Sequence, residues 1–305
     1  MLTYVLRRLL LVLVVVWGAA TLAFGLLYLS GDPVNLLLPL DASPEAREDL
    51  RRAYGFDQPL YVQYGRYLIK LTRGDFGTSL RSEEPALDLV LVRMGPTLLL
   101  AGWGLAFAVA LGVPAGVLAA VRKGSLAELA TMTLALLGQS IPVFWLGLML
   151  ILVFGLELRW LPISGAGSWK HLILPTITVG TFVTASIARL TRSGVIQELR
   201  SDHVRTARAK GLAGRVVVYK HALRNAAIPV VTIIGLQLGA LLSGAVITET
   251  IFAWPGIGRF VLIAVSQRDF PVVQATVVVF ALLLALVNLI VDLAYLWLDP
   301  RVRYA

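Results

Sequence analysis

The sequence predicts an all-α polytopic membrane protein with six transmembrane helices. Of its 305 residues, 58% are hydrophobic and only 15% are charged, whereas about 25% of the residues in a soluble domain are charged. The mean hydropathy is +0.80. Six separate stretches are each apolar over about 20 residues, the length that an α-helix needs to cross a bilayer core of about 30 Å.

The six predicted spans are approximately Leu9–Leu29, Thr97–Val121, Leu129–Phe154, His171–Leu190, Ala226–Ile251 and Val272–Leu298. The first span is longer than the apolar region of a secretion signal, so we expect it to be retained. Pro142 and Pro229 interrupt backbone hydrogen bonding in the third and fifth spans. We therefore expect a local kink at each proline.

The distribution of charge predicts the orientation of the chain. If both termini are cytoplasmic, the inside segments hold 15 of the 27 basic residues but only five of the 18 acidic residues. These inside residues include Arg301 and Arg303 of the C-terminal tail. The positive-inside rule therefore favours cytoplasmic N- and C-termini.

The spans divide the chain into three parts. Residues 1–29 hold the N-terminal tail and the first transmembrane helix, and residues 30–96 form an extracytoplasmic helical segment. Residues 97–305 form a five-helix core with a cytoplasmic loop at 193–225.

Two helices are expected within the outer segment. Ser43–Glu45 has the pattern of a helix start, with a cap, a proline and an acid, and Gly55 can end that helix. A second, amphipathic helix is expected between Pro59 and Gly74. We expect both helices at the outer surface, either as a structural cap or in contact with a delivering protein.

Several classes of function are disfavoured by the sequence. The chain has no cysteine and three widely separated histidines, so we expect it to hold no metal and no cofactor. No Gly-x-x-x-x-Gly-Lys-[Ser/Thr] phosphate loop occurs, and neither Gly-x-Ser-x-Gly nor His-Glu-x-x-His is present, so neither an ATPase nor an intramembrane hydrolase is expected. The basic cytoplasmic loop is short and is explained by topology, so nucleic acid is not an expected partner.

A secondary transporter is a further alternative, because it also needs a bundle of kinked helices. Such a protein should carry carboxylates for a coupling ion near the middle of the membrane, and often an internal repeat. Here the acids lie near the ends of the spans, and no repeat is evident.

The most polar part of the cytoplasmic loop predicts a short basic helix. Asp202–Lys210 can form this helix, and Gly211 can stop it. A short exposed helix held between two spans is suited to transmitting motion. On charge alone, a loop that only fixes topology, or a patch for anionic lipid, is the alternative.

The same segment resembles the cytoplasmic signature of the binding-protein-dependent ABC importer permeases of the dipeptide, oligopeptide and nickel group. The resemblance rests on Asp202–Leu212 and Lys220–Pro229. In the broader superfamily the pattern is Glu-Ala-Ala, three residues, then Gly. Here Arg205–Ala207 and Gly211 align with it, so the acid is absent, as is usual in the peptide branch. Further matches, in order, are Tyr4–Leu9, Gly31–Pro33, Asp57–Tyr64, Arg73–Gly77, Ser140–Gly147, Glu249–Gly258, Val291–Tyr295 and Asp299–Arg301.

This resemblance implies a type I ABC importer permease fold in a bacterial or archaeal cytoplasmic (inner) membrane. It implies a second homologous permease that completes a heterodimer, two ABC ATPase subunits that bind ATP and Mg, and an extracytoplasmic solute-binding protein. By resemblance, the chain forms the translocation pathway for short peptides and works by alternating access. Nickel chelates, glutathione and oligosaccharides remain alternative solutes.

The resemblance also implies which residues couple the chain to the ATPase. They are Asp202, Val204, Arg205, Ala207, Arg208, Gly211 and Leu212. We expect Val204 and Leu212 to enter a groove on the ATPase, surrounded by charged contacts.

Small residues recur at every fourth position in two of the spans. They are Gly104, Ala108, Gly112 and Gly116 in the second span, and Gly235, Gly239 and Ser243 in the fifth. Such stripes let helix backbones approach closely. They either pack helices within one subunit or, in the fifth span, lie near the partner permease and the pathway.

The candidate pathway or gate residues are Gln237, Gly239, Ser243 and Glu249. Glu249 lies at the outer end of its span, where it either bonds the following turn or contacts solute. Asn288 and Asp292 lie four residues apart on one helix face. They form either an interhelical polar clasp or part of a proton path.

Overall fold

The computed structural model describes residues 2–29, 34 and 43–298, and over these residues the chain is helical, with no β-strand. The helices are α1 (Leu2–Leu29), α2 (Pro44–Tyr54), α3 (Leu60–Thr72), α4 (Ala86–Val121), α5 (Leu126–Ser140), α6 (Val143–Leu150), α7 (Lys170–Glu198), α8 (Asp202–Ala209), α9 (Leu223–Ile251), α10 (Ile257–Ser266) and α11 (Phe270–Leu298). The matching stretches Gly31–Pro33 and Asp299–Arg301, and the tail residue Arg303, lie outside the described residues.

Five helical segments are long and apolar enough to cross a membrane. They are Val5–Leu29, Ala86–Val121, Lys170–Glu198, Pro229–Ile251 and Phe270–Leu293. A sixth candidate is the pair formed by Leu126–Ser140 and Val143–Glu157, which is bent by 99°. If this pair is one span, the described part of the chain holds the six spans that the sequence predicts.

The third span is broken rather than gently kinked. The expectation of one helix over Leu129–Phe154 is therefore wrong. Ile141 is extended, with φ −72° and ψ 126°, because the ring of a following proline disfavours the helical conformation in the preceding residue. After Pro142 the chain forms α6 and then a π-helical segment, Ile151–Glu157.

The described residues form two compact units. One contains the described residues up to Gly95 together with Phe260–Leu286, and the other contains Pro96–Arg259 and the described residues from Val287 onwards. The division into residues 1–29, 30–96 and 97–305 stays a prediction. That division did not anticipate that Phe260–Leu286 would belong with the N-terminal unit.

The first unit is held together by small residues of α1. Ala20 and Ala23 are buried with Val278 of α11, and Tyr67 and Leu68 of α3 pack against them. The two helices predicted in the outer segment are confirmed as α2 and α3. The Ser43 hydroxyl accepts a hydrogen bond from the Ala46 amide at the start of α2, and Gly55 ends it with φ 71°.

The second unit is built on close contact between α4 and α7. A Cβ atom at Gly112 would lie 2.9 Å from the carbonyl oxygen of Thr184, and one at Gly116 would lie 2.5 Å from that of Ala188. Glycine is therefore required where these backbones meet. For the stripe of the second span, the structure agrees with packing inside one subunit.

Candidate functional site

The candidate coupling segment connects α7 to α9. The helix predicted over Asp202–Lys210 is confirmed as α8, which ends at Ala209. The chain then passes through a single helical turn, Gly214–Val216, and a π-helical segment, Val217–Ala222. Helices α7 and α9 extend into both ends of the predicted 193–225 loop, so the non-helical part is shorter than expected.

Gly211 has the left-handed conformation that its predicted stop position requires. Its φ is +75°, and no atom lies within 4 Å of the position that a Cβ would occupy. The space around Gly211 would therefore accept a side chain, but its backbone conformation costs an L-residue about 1 kcal/mol or more. Strain, rather than a clash, is the expected consequence of a substitution.

One face of α8 packs inside the chain itself. Val204 and Ala207 are buried with Val217 and Ala222, and Leu199 packs against this cluster. The expectation that Val204 enters a groove on another protein is therefore wrong. Val204 is 0% exposed, and it packs α8 against the π-helical segment Val217–Ala222.

A polar network ties the start of α8 to both neighbouring long helices. The Ser201 hydroxyl donates to the Glu198 carbonyl oxygen (2.6 Å) and lies 2.9 Å from His203 Nδ1. Asn225 Nδ2 lies 3.2 Å from His203 Nε2 and 3.5 Å from Glu198 Oε2. His203 Nε2 also lies 3.5 Å from Glu198 Oε2, so the His203 ring connects Ser201, Asn225 and Glu198.

The opposite face of α8 is open to solvent. Asp202, Arg205, Arg208 and Gly211 are exposed, and Leu212 is 40% exposed. Arg205 and Asp202 form an ion pair at 3.6 Å, but such an exposed pair contributes little to stability. A basic surface with one apolar side chain is therefore available for contact with another protein.

Glu249 is buried in a hydrogen-bonded cluster at the end of α9. Its side chain is 0% exposed, accepts a hydrogen bond from the Thr97 hydroxyl at 2.6 Å, and accepts another from the Arg259 amide at 2.9 Å. The Thr97 hydroxyl in turn accepts from the Ile257 amide at 2.9 Å. This geometry corresponds to the bond between Glu249 and the following turn that the sequence left as one of two alternatives.

The other pathway candidates are less buried than Glu249. Ser243 is exposed, Gln237 is half-buried, and a Cβ at Gly239 would meet no atom within 4 Å. One helical turn earlier, Gly235 abuts Val291, whose Cγ2 would lie 2.6 Å from a Cβ there. The stripe of the fifth span is thus divided between an internal contact at Gly235 and an open surface at Gly239 and Ser243.

The remaining predicted pair lies on α11. Asn288 is exposed and Asp292 is half-buried, and their role as a clasp stays a prediction. Over the described residues, no three histidine, aspartate or glutamate side chains come together as a metal site.

Sequence reasoning did not select Glu198, Ser201, His203 or Asn225 for a role. His203 and Asn225 are 22 residues apart, and no spacing rule connects them. Only their neighbours in the folded chain indicate that they act together.

Two family models cover most of the chain. Residues 112–304 match the model described as binding-protein-dependent transport system inner membrane component. Residues 1–101 match the model of the N-terminal part of the same membrane components. The chain belongs to this family. It is therefore an inner-membrane permease subunit of an ABC importer, a class in which separate subunits hydrolyse ATP.

Curated relatives match this permease over its full length. It is 43% identical to the dipeptide transport system permease protein DppB of Alkalihalophilus pseudofirmus and 44% identical to the glutathione transport system permease protein GsiC of Escherichia coli K12. In both comparisons, 100% of this chain and 100% of the relative are covered.

Solved structures confirm the fold of the permease. An inward-facing structure of the MetNI methionine ABC transporter matches with a TM-score of 0.59 and 20% identity, covering 69% of this chain and 96% of that one. An amino acid ABC transporter crystallised with histidines matches with a TM-score of 0.54 and 15% identity, covering 68% and 93%. Membership of the family implies ATPase subunits, a solute-binding protein and a second permease as partners.

Proposed function

We propose that this permease forms half of the translocation pathway of an ATP-driven importer of short peptides. A second, homologous permease forms the other half, two ATPase subunits bind ATP and Mg, and an extracytoplasmic binding protein delivers the solute. Alternating access moves the peptide across the membrane.

The observation that carries the choice of solute is full-length similarity to relatives whose names specify dipeptide and glutathione. Glutathione is a tripeptide, so both named solutes are small peptides with charged ends. Nickel chelates and oligosaccharides remain alternatives, but neither relative named above supports them.

The two faces of α8 support a role in coupling. Arg205, Arg208 and Leu212 on the open face contact the ATPase, where complementary charge favours a specific docked orientation. Val204 and Ala207 on the buried face fix α8 to the rest of the unit. A rigid connection of this kind can convert movement of the ATPase into movement of α7 and α9.

The open surface of α9 supports a place beside the pathway for Gly239 and Ser243. Ser243 is exposed, and a Cβ at Gly239 would meet no atom within 4 Å. Glu249, which is enclosed by Thr97 and the Arg259 amide, instead fixes the turn after α9. We therefore assign it a structural role and assign pathway roles to Gln237, Gly239 and Ser243.

Reconstitution tests this function. The chain, its partner permease and both ATPases are placed in proteoliposomes with the binding protein, and uptake of radiolabelled alanyl-phenylalanine is compared with uptake of glutathione, a nickel chelate and an oligosaccharide. ATP-dependent uptake of a peptide, with no hydrolysis by the chain alone, is the expected result. Uptake restricted to the nickel chelate or the oligosaccharide would contradict the proposed solute.

A further inference from the structure

The first unit contains a cavity of about 600 Å³ that no step of the proposed transport cycle uses. It lies between the end of α1, the α2–α3 hairpin, the loop after α3 and the first turn of α11. Binding sites for small ligands have volumes of about 300–1,000 Å³ and combine apolar walls with a few polar groups. The cavity has both properties.

The walls are aromatic. Phe24 of α1 lies between Tyr28 and Tyr67, with ring centroids 5.2 Å and 5.6 Å away, and Phe76 and Phe270 also line the space. These rings offer an apolar surface to a side chain of a bound molecule.

Two buried polar atoms on the cavity lining have no partner among the described residues. They are the hydroxyl oxygen of Tyr67 and the Oε1 atom of Gln58. Burial raises the pKa of Tyr67 to about 12, so its hydroxyl is protonated at neutral pH and can donate a hydrogen bond. Gln58 Oε1 can only accept. Both atoms are enclosed behind the surface of the wall, so the groups that a ligand meets first are the rings and the charged side chains.

Charges of both signs line the cavity. The exposed Arg66 side chain reaches the end of α2, where its Nη1 lies 3.4 Å from the position of a Cβ on Gly55. Among the described residues, neither Arg66 nor Asp57 has an ion-pair partner, and Lys70 and Asp75 approach each other only to 4.0 Å. A simple anion would leave the negative charge of Asp57 without an opposite charge. A zwitterion offers an opposite charge to both Arg66 and Asp57.

We propose that this cavity is an accessory binding site for a short zwitterionic peptide, which Arg66 holds by its carboxylate and Asp57 by its ammonium group. The proposal rests on the proposed function, because it assumes that the importer handles peptides. The aromatic wall takes an apolar side chain of the peptide. A zwitterionic lipid headgroup has the same pair of charges, so the experiment must separate the two sources.

The natural chain has no cysteine, which permits a labelling test in the complete complex. Thr78, which is exposed and lines the cavity, is replaced by cysteine, and Thr72→Cys on the outer face of α3 is the control. Labelling by a maleimide is followed in nanodiscs without the binding protein. The probe is alanyl-phenylalanine, and its N-acetyl, C-amide form is the uncharged comparison.

We expect alanyl-phenylalanine to slow labelling at position 78 saturably and to leave position 72 unaffected. The capped form should not protect. Arg66→Gln should raise the half-protecting concentration about tenfold, since a charge-assisted hydrogen bond is lost, and Arg66→Lys should restore part of the protection. Equal protection by the capped form, or no protection at position 78, would overturn the proposal.

Two kinds of nanodisc distinguish binding of the peptide from binding of a lipid headgroup. One contains only phosphatidylglycerol, and the other also contains phosphatidylethanolamine. Protection by the peptide in both supports the proposal, whereas labelling that depends on phosphatidylethanolamine and ignores the peptide overturns it. Peptide uptake by proteoliposomes distinguishes this result from the proposed function. Lost protection with normal uptake refutes the accessory site alone, and protection without peptide uptake refutes the proposed function.

Discussion

Asn225, in the first turn of α9, donates a hydrogen bond from Nδ2 to Nε2 of His203, in the first turn of α8, over 3.2 Å. The same Asn225 amide group lies 3.5 Å from Glu198 at the end of α7. The start of α8 is thus connected by side chains to the two long helices that flank it. We therefore expect a displacement of α8 to be transmitted to both.

Asn225→Ala should weaken this connection without unfolding the permease. Loss of one side-chain hydrogen bond costs about 1 kcal/mol, which corresponds to roughly a fivefold change in an equilibrium constant. We expect the ratio of peptide imported to ATP hydrolysed to fall several-fold in proteoliposomes. Arg200→Ala, an exposed substitution in the same segment, is the control. An unchanged ratio in Asn225→Ala would show that the network does not couple the helices.

Thr97→Val should destabilise the permease because it leaves the Glu249 carboxylate and the Ile257 amide short of a partner. An unsatisfied buried group costs about 1–3 kcal/mol, and more if it is charged. Thr97→Ser keeps the hydroxyl and should retain most of the stability. Thermal unfolding in detergent measures both variants. If Thr97→Val is as stable as Thr97→Ser, the cluster does not stabilise the turn.

Gly235→Ala should reduce the stability of the folded chain, and Gly239→Ala should not. A methyl group at Gly235 collides with Val291, whereas at Gly239 it enters open space. Overpacking at a closely packed site costs about 1–3 kcal/mol. We expect lower thermal stability of the isolated chain only for Gly235→Ala. For Gly239→Ala, we expect a stable chain with reduced uptake in the assembled importer. Equal stability of the two would contradict the described contact between α9 and α11.

The orientation predicted from charge can be tested with single cysteines in intact cells. Lys70→Cys should react with an impermeant thiol reagent from outside, and Arg208→Cys should react only after the membrane is permeabilised. Both side chains are exposed on the chain, so burial within the chain does not explain a difference. Cells that express the permease without its ATPase subunits exclude shielding of position 208 by a docked ATPase. Labelling of position 208 from outside would reverse the proposed topology.

The parts of the fold that depend on local chemistry were predictable. The start of α2 at Ser43, its end at Gly55 and the stop of α8 at Gly211 follow from capping and from the conformational freedom of glycine. Hydropathy predicted where the spans lie, because a segment that crosses lipid must be an apolar helix that satisfies its own backbone hydrogen bonds. The size of the 99° bend after Ser140 was not predictable, because hydropathy carries no information on the direction of a helix axis.

Contacts between distant residues were the main failure of sequence reasoning. Val204 is apolar on a basic helix, and sequence alone does not reveal whether such a residue faces its own chain or a partner. Thr97 and Glu249 are 152 residues apart, so nothing near Glu249 in the sequence indicates that its carboxylate is already bonded. The same limit explains why the network of His203 and Asn225 was missed.

The central claim is that α8 couples this permease to its ATPase. Gly211→Val tests the shape of the segment, because a branched residue at φ +75° costs about 1 kcal/mol or more. Arg208→Glu tests its charge. The control for Gly211→Val is Gly214→Ala, at a position with open space and no positive φ. The control for Arg208→Glu is Arg73→Glu on the outer segment.

The decisive measurement is peptide uptake together with ATP hydrolysis in proteoliposomes that hold the complete importer. We expect Gly211→Val and Arg208→Glu to be incorporated normally but to lose peptide uptake, with ATP hydrolysis that is either lost or independent of the solute and its binding protein. Both controls should transport as the unmodified protein does. Wild-type uptake and solute-dependent hydrolysis in both α8 variants would show that the segment is only a topological loop.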